Sequence, residues 1–149
     1  GCTGCHGDDM AGQDWSDEKG TLWTANLTRS AQRWSHAELT QMIVAGKRPD
    51  RALVEMPSVL FVRLHPDDTK ALVAYLGTLK PVGPVHPEPT FGPQLAQEIA
   101  AGSYRNAVQQ IADDKGKGPP DLGPSHALGR QIVRATCVEC HGSDLRGTP

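Results

Sequence analysis

Cys2-Thr3-Gly4-Cys5-His6 and Cys137-Val138-Glu139-Cys140-His141 stand at opposite ends of the chain, and they use all four of its cysteines. The pattern C-x-x-C-H is the signature of c-type haem attachment. Two residues between the thiols let both sulfurs reach the vinyl groups of one porphyrin, and the next residue, His, turns back under the iron as proximal ligand. Cys2, Cys5, Cys137 and Cys140 are therefore candidate thioether formers, and His6 and His141 candidate iron ligands. The likeness runs past the motif. Cys-His-Gly-Asp-Asp-Met-Ala-Gly at 5–12 matches Cys-His-Gly-Ser-Asp-Leu-Arg-Gly at 140–147 with a constant offset of 135. Such a repeat points to two homologous modules in tandem.

Three other readings compete for these cysteines. A four-thiolate zinc site uses paired C-x-x-C knuckles, but these typically lie roughly 15–20 residues apart. Here about 130 residues intervene, and zinc gives no reason for a His after each pair. A thioredoxin-like redox pair needs a βαβ context, which is missing. Plain disulfides leave both His residues unexplained.

The bulk composition agrees with a cofactor protein. A net charge of −2, with both signs mixed along the 149 residues, excludes a nucleic-acid signature. Aromatics at 5%, with 16 Gly and 12 Pro, are thin material for a core, so an added organising element is expected. No apolar run approaches the length that spans a bilayer. Gly1 directly precedes Cys2, so the chain reads as a mature or cropped segment of a longer protein. A lipoprotein cleavage site at Gly1-Cys2 would compete for the sulfur that the haem motif needs.

Between the motifs the pattern is helical. Ser35-His36-Ala37-Glu38 is a capping box opening a helix through Leu39, Met42, Ile43 and Val44, with Gly46 closing it. Pro66, with Asp67 and Asp68 in the first turn, starts another that carries Ala71, Leu72, Ala74, Tyr75, Leu76 and Leu79 and ends at Pro81. Pro81, Pro84, Pro87, Pro89 and Pro93 predict an extended, semi-rigid linker. Helices are expected over 94–101, 104–112 and from Ser125 or His126 to Ala135, with a Gly/Pro-rich break at 116–124.

The order Cys-x-x-Cys-His, Asn26-Leu27-Thr28, the Trp34-Ser35 helix, Met56-Pro57 and Leu72-Val73-Ala74-Tyr75-Leu76-Gly77-Thr78-Leu79-Lys80-Pro81 resembles the class I cytochrome c family. It is most similar to the tandem-domain, dihaem cytochromes c of bacteria, over 1–81 well and 126–149 in part. The resemblance implies an all-α fold of cytochrome c-like helical domains wrapped around covalently bound haem. It implies a first domain at 1–81 lacking its N-terminal helix, a connection at 82–124 and the start of a second domain at 125–149. It implies two haems c, electron transfer rather than catalysis, and redox protein partners such as a dehydrogenase, an oxidase or another cytochrome, in a periplasmic or membrane-associated complex. The location expected is the periplasm or the outward face of the bacterial inner membrane. By the same resemblance Met56 is the distal ligand of the first haem.

Other methionines fit that role less well. Met42 lies on an apolar helix face, where Met is commonly core filler, and Met10 is too near His6 in sequence to reach the opposite side of the iron. Trp23, Trp34 and Tyr75 are candidates to pack near the porphyrin. No Met follows His141, so the second haem takes its sixth ligand from beyond this chain, takes it from a His such as His65, His86 or His126, or has none. Surface or capping duty is the default for those three and for His36. An open iron would suit a dihaem peroxidase-like enzyme, the alternative function. The Asn26-Leu27-Thr28 sequon is read as coincidental.

Overall fold

The computed structural model describes residues 1–147, and the fold is mainly α-helical. In order come α1 (Cys2–His6), β1 (Gly20–Thr21), α2 (Leu27–Arg33), α3 (His36–Ala45), α4 (Ser58–Phe61) and α5 (Pro66–Gly77). Then follow β2 (Thr90–Phe91), α6 (Pro93–Ala101), α7 (Ala107–Asp113), a 3-10 turn at Pro124–His126, α8 (Ala127–Thr136) and α9 (Val138–His141). Among the described residues no helix is long and apolar enough to cross a membrane.

Two compact units divide the chain: Gly1–Leu39 with Leu72–Arg105, and Thr40–Ala71 with the residues from Asn106 on. These units do not follow the boundaries expected at 81 and 124. The cuts fall inside α3, inside α5 and between Arg105 and Asn106.

In the first unit, the proline-rich stretch is extended as expected, but it is tied down rather than free. Proline has no N–H to give a ladder, so this segment is gripped through its carbonyls by side-chain donors. Asn26 Nδ2 donates to Val82 O at 2.7 Å and Pro84 O at 2.9 Å. Arg29 donates to Gly83 O through Nε at 3.0 Å and Nη2 at 2.8 Å. Val82 N–H donates to Thr28 Oγ1 at 3.1 Å, and farther on β2 pairs antiparallel with β1. Asn26 also caps α2, accepting from Arg29 N–H at 3.2 Å. Its amide is buried and engaged on both ends, so the sequon is structural. Leu39, Val73 and Leu76 supply the buried apolar residues of this unit.

In the second unit, Gly46 closes α3 at φ +63°, and a Cβ there would sit 2.5 Å from the Ala107 Cβ. That closeness seats the start of α7 against the 46–53 loop, where Ala107 N–H donates to Leu53 O at 3.1 Å. Asn106 and Gln109 form a reciprocal capping box for α7. Leu60 and Ala107 are the buried apolar residues here. The apolar core is thin in both units. Full burial of one Val or Leu side chain contributes about 1.5–3 kcal/mol, so so few of them leave the fold dependent on something more.

Candidate haem attachment sites

α1 is little more than one turn, so Cys2, Cys5 and His6 stand at i, i+3 and i+4 on one face. Both thiols are free. Gly7, at φ 80°, ends the turn and starts a tight loop. His6 itself is buried, and its Nδ1 lies 2.7 Å from Ala25 O. A carbonyl oxygen only accepts, so Nδ1 carries the proton and Nε2 keeps its lone pair. An imidazole anchored this way is oriented and made a better donor to a metal at its other nitrogen. Burial pushes the His6 basicity down, with the Ala25 bond opposing, so a neutral ring is favoured.

The carbonyl that orients His6 comes from the segment just before α2. Thr24 N–H donates to Gln13 O at 2.9 Å, and Gln13 N–H donates back to Thr24 Oγ1 at 2.7 Å. Leu27 N–H donates to Met10 O at 2.8 Å. Residues 10–13 and 24–27 therefore brace each other on either side of the His6 ring's partner.

The second motif runs from the end of α8 into α9, and the loop after it copies the first. Gly12 N–H donates to His6 O at 2.8 Å, and Gly147 N–H to His141 O at 2.8 Å. Met10 N–H reaches Gly7 O at 3.0 Å, as Leu145 N–H reaches Gly142 O at 3.0 Å. Asp9 Oδ1 accepts from Ala11 N–H at 2.9 Å, and Asp144 Oδ1 from Arg146 N–H at 3.1 Å. Even the left-handed residues correspond: Met10 at φ 59° with Leu145 at 63°, and Gly12 with Gly147, both at 91°.

The surroundings differ. His141 is exposed, and among the described residues no carbonyl takes the place that Ala25 O has for His6. Its loop is held instead by charge. Ser143 hydrogen-bonds Asp114, a buried carboxylate that also pairs with Arg63 at 3.4 Å. Cys137 and Cys140 likewise form no disulfide. Among the described residues no group of three or more His, Cys, Asp or Glu side chains gathers as a metal cage.

Met56 is half-buried between Glu55, at φ 61°, and Pro57. Ser58 N–H donates to Met56 O at 2.8 Å, and the fully buried Ser58 hydroxyl donates to Met42 O at 3.0 Å. The Met56 loop is thus pinned on both sides. The structure gathers Cys2, Cys5 and His6 in one place and Cys137, Cys140 and His141 in another. Met56 belongs to the compact unit that also contains the second motif, and His6 to the other unit.

The remaining candidates are accounted for locally. His65 Nδ1 accepts from Asp67 N–H at 3.3 Å at the start of α5, a capping role. His126 is the N-cap residue of α8. His86 is engaged through Nε2 with Ala11 O at 2.6 Å. Trp23 stacks on His86 with ring centroids 4.2 Å apart, Trp34 has the Arg33 guanidinium over its ring at 4.5 Å, and Tyr75 is exposed. The Ala25 carbonyl leaves no side-chain signal in the sequence, and His86, expected at the surface or as a sixth ligand of the second haem, instead engages the Ala11 carbonyl.

Two free thiols and a buried, Nδ1-anchored imidazole on one helical face fit covalent haem, and the thin core leaves the fold in need of one. This combination of a mainly α-helical fold and a C-x-x-C-H turn defines a c-type haem protein. The cytochrome c family model matches residues 1–80, and the chain belongs to that family. Its fold is that of a cytochrome c domain, its cofactor is covalently bound haem c, and its activity is electron transfer. The matched span ends before the second motif. No curated protein matches the chain.

Proposed function

We propose that this chain carries two haems c and passes electrons between them and to protein partners. Cys2 and Cys5 would tether the first haem, and His6 and, by the family expectation, Met56 would hold its iron. Cys137 and Cys140 tether the second, with His141 as proximal ligand. The observation that carries this reading is the second loop, which repeats three hydrogen bonds of the first around a second C-x-x-C-H.

Haem iron supplies a one-electron store that cycles between ferric and ferrous. The protein's residues do the rest. The Ala25 carbonyl fixes the His6 tautomer and ring plane, burial keeps protons off that ring, and the Met56 loop, held by Pro57 and Ser58, presents a thioether with little freedom. A thioether and an imidazole holding the same iron would raise the reduction potential, which suits a mid-to-high potential carrier. By the family expectation, the partners are a dehydrogenase, an oxidase or another cytochrome. The site of action is the periplasm or the outward face of the bacterial inner membrane, where such haem attachment takes place.

Intact mass and visible spectra test the reading. Two haem masses and a six-coordinate, low-spin first haem are expected, with Met56→Ala turning that haem high-spin and lowering its potential. A high-spin wild type reactive toward peroxide would favour the dihaem peroxidase-like enzyme. A colourless product from cells competent in haem attachment would end the case.

A further inference from the structure

We propose that His86 is a positioning residue for the proximal ligand of the first haem, gripping both backbone segments that hold the His6 ring; this rests on His6 being that ligand. One grip is through the Ala11–Gly12 peptide. His86 Nε2 donates to the Ala11 carbonyl at 2.6 Å, and the N–H of the same peptide group donates to His6 O at 2.8 Å. Hydrogen bonds chained through one peptide polarise each other, so the histidine strengthens the bond that closes the attachment loop. The other grip is the stack on Trp23, with ring planes 20° apart, two residues before the Ala25 carbonyl that accepts from His6 Nδ1. Gly12 leaves the room this needs, since a Cβ there would lie 2.8 Å from the His86 ring. The Pro-rich segment brings His86 in, and Asn26 and Arg29 hold that segment three residues or fewer upstream. Nothing of this kind serves the second loop among the described residues, where Ser143 and Asp114 do the holding.

Loss of the grip lets the Ala25 segment and the attachment loop drift apart. The His6 Nδ1–H bond then weakens, and the imidazole becomes a poorer donor to ferric iron. The first haem's reduction potential rises.

The test uses the full-length holoprotein carrying Cys137→Ala and Cys140→Ala, so that only the first haem titrates. His86→Phe keeps a ring against Trp23 but has no donor, and His86→Gln keeps an N–H donor. An upward shift in potential is expected for Phe, most of it reversed in Gln, with the low-spin spectrum kept in both. Val85→Ala, an exposed neighbour, should titrate like the parent. Should Phe prevent haem attachment, His86→Asn takes its place, because its shorter amide does not reach Ala11. The inference is overturned by Phe or Asn titrating with the parent, or by Gln shifting as far as they do. His6→Ala in the same background separates the two ideas. If it loses the low-spin spectrum while the His86 variants stay silent, only the inference fails. If it keeps that spectrum, the ligand assignment fails first and the inference with it.

Discussion

In the first attachment loop His6 is buried with Nδ1 on the Ala25 carbonyl, while in the second His141 faces solvent, although the two loops share their hydrogen bonds and left-handed positions. The eight-residue pattern therefore encodes the turn by itself: Gly to reverse the chain, Asp to catch an N–H two residues on, Gly to close on the His carbonyl. It does not encode the ligand's orientation. For His6 that comes from the Ala25 carbonyl, far away in sequence.

The largest expected effect tests whether the shared turn suffices for attachment. Cys2→Ala with Cys5→Ala should remove one haem mass, and Cys137→Ala with Cys140→Ala another. A mass unchanged by the second pair would show that the turn alone does not recruit haem and would break the equivalence.

Next, Gly12→Ala should be far more damaging than Gly147→Ala. Both carry the strain of a side chain at φ 91°, about 1–2 kcal/mol. At Gly12 a Cβ would also lie 2.4 Å from Thr24 O, adding about 1–3 kcal/mol of overpacking, whereas among the described residues nothing lies within 4 Å at Gly147. Thermal denaturation of the two holoproteins measures the gap, and equal losses would mean that the first loop is no more tightly embraced than the second.

Asp114→Ala reverses the asymmetry. The first loop is held by neutral donors on carbonyls and the second by the Arg63–Asp114–Ser143 set, so this change should loosen only the second. Leaving Arg63 and Ser143 without the carboxylate costs about 1–3 kcal/mol. Hydrogen exchange over 138–147 should quicken, while that over 3–12 should stay as it was.

Features decided within a few residues were legible in the sequence. Ser35 and Glu38 do form the capping box, with Ser35 N–H on Glu38 Oε2 at 2.8 Å, and Gly46 and Pro66 bound their helices where expected. The start of α7 was legible but missed: Asn106-x-x-Gln109 is the capping signal, and the helix begins at Ala107 rather than 104. Long-range choices were not legible. Proline density in 81–93 says extended, and nothing in it says that Asn26 and Arg29 will seize its carbonyls. Nor does any local signal join 40–71 to the residues from Asn106 on, since that pairing rests on contacts such as Arg63 with Asp114. Of the candidate site, the thiols and imidazoles stand out in the sequence, and the Ala25 carbonyl that holds the His6 ring does not.

Acid gives the smallest and most discriminating contrast between the two loops. Burial holds His6 below its ordinary value of 6.5, which means that the folded chain takes up a proton there less readily than the unfolded chain does. The stabilisation from a neutral His6 is thus complete above that ordinary value. It declines as pH falls toward the lowered one, because the unfolded state gains protons first. Once the iron bond breaks, a freed His6 stays enclosed and uncharged over that interval and can rebind, whereas His141 is open to water at once. With single-haem variants made by removing either cysteine pair, the first haem should keep its neutral-pH visible spectrum to lower pH than the second keeps its own. Coincident transitions would mean that burial around His6 does not protect ligation, and that the two settings, so different in structure, are equivalent in use.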